Sequence, residues 1–136
     1  MKTVKFSKCP QDKYPEFEHL HYYETGDKIY VDATGYLQAC VATPGKSVDE
    51  FLELYKVWIN HLASMNQIAD EDVVLVNETD GHVLLDECLD LVLVAYADAI
   101  FCKWMLDRME ELMNYNVTVH DPYLQLVNKL RFGVSA

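Results

Sequence analysis

The residues best placed to do chemistry are carboxylates three positions apart, Glu50-x-x-Glu53 and Glu87-x-x-Asp90. On a helix an i,i+3 spacing puts both side chains on one face, so each pair is able to present two carboxylates to one hard cation. Glu50 and Glu53 fall on the polar side of their helix, where water is the ordinary neighbour, and a chain this acidic produces such spacings often. His19-x-His21 places two imidazoles on one strand face, a spacing some zinc sites use. His61, His82 and His120 offer no partner spacing for a third ligand, so a polar sheet face is the simpler account. Gly45-Lys46-Ser47 lies between an expected strand and a helix, as a phosphate-binding loop would. The full pattern needs glycine at position 40, which is Cys40, and a helix-capping turn is the better reading. Counting back from Gly81 as the sixth position of a calcium loop puts Val76 where the first Asp belongs, so that motif fails. None of Ser7, Ser47, Ser64 and Ser135 sits in G-x-S-x-G. Cys9, Cys40, Cys88 and Cys102 contain no Cys-x-x-Cys pair and read as reduced thiols. No catalytic residue, metal ligand or cofactor is therefore assigned.

The two carboxylate pairs together resemble the E-x-x-E…E-x-x-D pattern of MazG-like all-α nucleoside triphosphate pyrophosphohydrolases, over residues 47–114. The resemblance implies magnesium-dependent cleavage of a nucleotide. The chain departs from that family in its N-terminal strand pattern, in the insertion Val73–Val76, and in having few basic residues near the pairs to receive phosphates.

The elements that must position these groups can be read from periodicity. Residues 19–42 alternate as antiparallel strands. Leu20 and Tyr22 oppose His19, His21 and Tyr23; Thr25-Gly26-Asp27 turns; Ile29, Val31 and Ala33 share a face; and Leu37, Ala39 and Val41 share the next, giving a three-stranded meander. Ser47-Val48-Asp49-Glu50 is a capping box, followed by Phe51, Leu52, Tyr55, Trp58, Ile59, Leu62 and Met65 at helical steps, so a helix is expected over about 47–68. Val73–Val76 reads as a strand buried on both faces, and His82–Leu85 either pairs back to it or opens the next helix. Residues 86–114 lack Gly and Pro and read as one long helix or two with a kink. Val117–Val119 suggests an edge strand, and Asp121-Pro122 starts a short C-terminal helix ending near Phe132. The expected fold is α+β: an N-terminal antiparallel β-meander packed on two main helices plus a short C-terminal helix, as one compact domain over residues 1–136.

Charge bounds the function more firmly than any motif. The chain has 22 Asp and Glu against 11 Lys and Arg, a net charge of −11, and is about half apolar. That is too apolar for a disordered acidic tail and too acidic to hold a phosphate backbone, which needs Lys and Arg to displace counterions. The excess is local: residues 1–48 are neutral, residues 49–115 carry −12, and residues 116–136 carry +1. Asp70, Glu71, Asp72, Glu78, Asp80, Asp86, Glu87 and Asp90 occur within 21 residues without one lysine or arginine. A field of that kind draws basic surfaces, although a solvated face that only aids solubility would look the same. No apolar run reaches the length of a membrane span, and the N-terminus lacks a signal-peptide core, so a cytoplasmic location without membrane contact is expected.

The leading expectation is a non-enzymatic inhibitor that docks those eight acidic residues on a basic, nucleic-acid-handling enzyme, occupying its phosphate site as immunity proteins and phage-encoded anti-defence proteins do. The alternatives are the nucleotide hydrolase and a homodimeric assembly protein that buries Trp104, Met105 and Met109 of the long helix against a second copy.

Overall fold

The computed structural model describes residues 1–40 and 45–114, which fall in two compact units, Met1–Asp98 and Ala99–Ala136. The fold is α+β. The first unit contains β1 (Thr3–Val4), β2 (Ser7–Lys8), β3 (Tyr22–Thr25), β4 (Lys28–Asp32), α1 (Ala33–Ala39), α2 (Val48–Leu54), α3 (Lys56–Met65), α4 (Asp70–Val73), β5 (Val74–Asn77), β6 (Val83–Asp86), a 3₁₀ turn (Glu87–Leu89) and α5 (Asp90–Ala97). The second begins with α6 (Ala99–Asn114). The expected edge strand at Val117–Val119 and the C-terminal helix lie outside the described residues.

The six strands form one sheet in the order β1-β5-β6-β4-β3-β2. Its two margins, β1 and β2, are separated in sequence only by Lys5 and Phe6. A flat sheet of six strands is about 24 Å wide, whereas the three residue steps from Val4 to Ser7 span at most about 11 Å. The sheet therefore curls until its margins approach each other. Phe6, in the link, is buried inside the curl against Tyr30, Leu75 and Leu84. The opposite face carries Tyr22, Val31 and Leu85, in register across three strands and all buried. Curling explains why Tyr30 and Val31, neighbours on opposite faces of β4, are both inaccessible, while Ile29, placed by alternation on the Val31 face, is exposed at the strand's start.

The β3–β4 hairpin turns at Gly26-Asp27 with Gly26 at φ +61°, the left-handed first position that a two-residue hairpin loop favours. The β5–β6 hairpin settles the ambiguity at His82–Leu85 in favour of a strand. The run Val73–Val76 supplies the end of α4 and most of β5, which lies between β1 and β6.

Three local readings need correction. The third strand expected over Tyr36–Ala42 is α1 up to Ala39, because Asp32 at the end of β4 caps it: its carboxylate accepts the Gly35 N–H at 2.9 Å. The helix-favouring Ala, Leu and Gln that follow are then sufficient. Gly35 sits where a Cβ would lie 2.6 Å from Asp32 Oδ2. The helix expected over 47–68 bends at Tyr55 into α2 and α3, although Tyr55 N–H still reaches Phe51 O and Ile59 N–H still reaches Tyr55 O. The helix expected over 86–114 opens with the 3₁₀ turn and breaks at extended Asp98.

Candidate functional site

The β5–β6 hairpin divides the acidic stretch Asp70–Asp90. Four-residue strands separate their ends by about 10 Å, so Glu78 and Asp80 lie at the turn while Asp70, Glu71, Asp72, Asp86 and Glu87 gather at the opposite end. At the turn, Asp80 accepts the His82 N–H and Asn77 Oδ1 accepts the Thr79 N–H, so Asp80 helps to shape the loop. At the other end Asp70 and Glu71 are exposed on the first turn of α4.

The remaining acids are engaged to different degrees. Asp72 meets Lys2 at 2.7 Å and Lys28 at 3.6 Å, and the hydrogen bond from Lys2 holds its carboxyl below the ordinary value. Asp86 accepts the Cys88 N–H at 3.0 Å and so starts the 3₁₀ turn; burial pushes the Cys88 thiol up to about 12, with Asp86 adding to the shift. Asp90, expected on the acidic surface, is only 4% exposed and does not belong to it. Its Oδ2 accepts the Tyr22 hydroxyl at 2.8 Å and lies 3.4 Å from Lys13 Nζ. Burial raises the Tyr22 phenol far above its ordinary value, and the hydrogen bond to Asp90 raises it further. Glu87 lies 3.9 Å from the same lysine. Burial works against the Lys13 charge, but Asp90, Tyr14 and Glu87 outweigh it and the ammonium is held more firmly than usual.

Two concavities meet at Glu87. One, of about 270 Å³, has Ile29 and Ile68 as its apolar lining, Asp27, Asp86 and Glu87 as acidic lining, and Lys28 beside them. The other, of about 330 Å³, holds Cys9, Lys13, Tyr22 and Glu24 and shares Ile29 and Glu87 with the first. Gln67, in the smaller groove, has φ +57°, which a side chain rarely adopts. It ends α3 as the left-handed residue of a Schellman motif, with Ile68 N–H bonded to Ala63 O and Gln67 N–H to Ser64 O. A lining that combines isoleucines with carboxylates suits the stem and head of a lysine or arginine supplied by another molecule.

The structure does not bring the two carboxylate pairs together. Glu50 Oε1 accepts the Tyr96 hydroxyl at 2.5 Å, while Glu87 and Asp90 flank Lys13. Among the described residues no group of three or more His, Cys, Asp or Glu side chains is disposed to hold a metal ion. Ser47 caps α2 by accepting the Glu50 N–H at 3.1 Å. The reciprocal arm of the box is replaced by Tyr96, whose hydroxyl accepts the Ser47 N–H. His19 has φ +67° and precedes β3, so it shares no strand face with His21, which contacts Asp12 at 3.0 Å. His82 does find partners: its Nδ1 is 3.0 Å from Asp32 Oδ2 and 3.5 Å from Asp80 Oδ2, and the Asp32 hydrogen bond raises its pKa despite burial. That contact joins β4 to the β5–β6 turn across 50 residues and no spacing rule announces it. Ile29, Ile68 and Gln67 were likewise illegible as groove residues, since each is an ordinary side chain made notable only by its neighbours.

The whole charge of the chain belongs to the first unit: residues 1–98 hold 18 acids and 7 bases, and residues 99–136 are neutral. No protein-family model, curated protein or solved structure matches the chain. No helix among the described residues is long and apolar enough to cross a membrane.

Proposed function

We propose that this protein is a non-enzymatic binding module that docks on a basic surface of another protein. The groove lined by Asp86 and Glu87 carries the reading, because it joins two isoleucines and three carboxylates in a unit of net charge −11. The partner class that such a surface suits is a nucleic-acid-handling enzyme, whose phosphate site is basic by necessity. By occupying that site the protein would act as an inhibitor, after the manner of immunity and anti-defence proteins. Asp70, Glu71, Asp86 and Glu87 form the contact at one end of the hairpin, and Glu78 and Asp80 extend the field at the other. Asp72 and Asp90, already engaged by Lys2 and Lys13, contribute to folding instead.

Retention of host or competitor lysate proteins on the immobilised full chain, eluted across a salt gradient, tests this. The expected result is a basic enzyme that leaves at raised salt, is inhibited by the protein, and is not retained by the Asp86→Lys, Glu87→Lys double variant. Retention that ignores both salt and charge reversal refutes it.

A further inference from the structure

We infer that the outward face of α2 and α3 is a docking surface for a basic amphipathic helix of a partner protein, an inference that rests on the acidic-binding reading and specifies its apolar half. Leu54 (65% exposed), Val57 (81%), Trp58 (62%) and Met65 (67%) are all open to solvent. At 100° per residue they fall within an arc of about 100°, and the helical hydrogen bonds through Tyr55 keep Leu54 close to phase with the others. Phe51, Ile59 and Ala63, beginning beside Trp58 and running round the helix from it, are buried. The pair thus carries more apolar surface than its buried seam uses, and among the described residues the four exposed side chains remain open to solvent. Trp and Met are also among the side chains that binding surfaces favour.

Charge complementarity selects the occupant. Glu50 and Glu53 stand four residues before Leu54 and Val57, one turn away, and Asp70 and Glu71 follow the other end of α3. Immediately after Met65, Asn66, Gln67 and Ile68 line the groove that holds Asp86 and Glu87, so the stripe runs into the acidic site. From Leu54 to Met65 the stripe extends about 16 Å, roughly three helical turns. A fitting occupant is a helix of that length with two or three apolar anchors and Lys or Arg at both ends. A second copy fits badly, because both ends of the stripe are acidic and either orientation of a self-paired face sets acid against acid.

The test uses the full chain carrying Trp104→Phe, which leaves Trp58 as the sole tryptophan of the two in the sequence. The probe is an amphipathic leucine–lysine peptide about four turns long, with a scrambled peptide of the same composition as control. The amphipathic peptide should shift Trp58 emission to the blue and the scrambled one should not. Leu54→Ser with Met65→Gln should weaken binding at least tenfold with no change in melting temperature, because both side chains are exposed. No emission shift, an equal shift with the scrambled peptide, or full affinity in the double variant overturns the inference. Concentration-dependent dimers abolished by the same double variant would also overturn it, in favour of a second copy. If the Asp86→Lys, Glu87→Lys variant loses lysate retention while the apolar variant retains it, the docking stripe fails and the acidic reading survives.

Discussion

Replacing Asp90 by Ala removes the acceptor of a buried hydroxyl and the closest anion of a lysine in one step. Tyr22 is 2% exposed, so its hydroxyl has little access to water when Asp90 is gone. Leaving such a donor unmatched costs about 1–3 kcal/mol. The Lys13 contact at 3.4 Å adds less, about 0–1 kcal/mol, because the lysine side chain is close to half exposed and remains solvated. Asp90→Ala should therefore lose about 1–4 kcal/mol, a large share of the stability of a domain this size. Asp90→Asn keeps an oxygen for Tyr22 and should lose nearer 1 kcal/mol. Urea unfolding followed by far-UV circular dichroism measures both, and a double-mutant cycle with Tyr22→Phe isolates the hydroxyl–carboxylate term, expected at about 1–2 kcal/mol. An Asp90→Ala variant within about 0.5 kcal/mol of the parent, or costs that simply add in the cycle, would refute the assignment of Asp90 to the folding core and return it to the acidic surface.

Further outcomes follow from the same geometry. His82 has its pKa raised by Asp32, so the stability it contributes is fully present below the ordinary histidine value of about 6.5 and is lost as pH rises through the higher folded value. The gap in melting temperature between parent and His82→Gln should accordingly be larger at mildly acidic than at alkaline pH. Gly35→Ala should cost about 1–3 kcal/mol by calorimetry, because the new methyl would lie 2.6 Å from a carboxylate that both caps α1 and holds His82. Gln67→Gly should raise stability by about 1 kcal/mol by relieving the left-handed backbone, and unchanged urea midpoints would show that no strain is held there.

Much of the fold was legible because it depends on local patterns. The capping Ser47, the turn at Gly26, the strand run at Val74 and the helical steps through Phe51 and Ile59 each follow from a short window. What escaped was decided over long range. Residues 36–39 alternate well enough for a strand, but Asp32 was in place to cap a helix, and only the pairing of β4 with β6 shows that the sheet had no use for another strand there. Trp58 and Met65 fit the apolar periodicity yet are exposed, because the core takes only Phe51, Ile59 and Ala63 fully from these helices. The acidic stretch was legible as a charge and not as a surface: a hairpin splits it, and Lys2, Lys13 and Lys28, distant in sequence, answer part of it. Residue types cannot announce such partners, since the pairing is made by the topology.

The short segment that supplies both margins of the sheet also governs how the protein behaves when it is not fully folded. Each margin is only two residues long, so both ends of the curled six-stranded sheet are covered by one N-terminal clasp with few backbone bonds of its own. Thr3 must find Val76 from the far part of the unit, and a closure over that much chain carries a high entropic cost and belongs late in folding. Until the clasp fastens, β5 and β3 stand open together, two unpaired templates on one molecule, and an open sheet of this kind can add strands from its neighbours on either side. Loosening of eight residues would thus uncover two pairing templates at once, so the protection of β3 and β5 rests on the two shortest strands of the sheet.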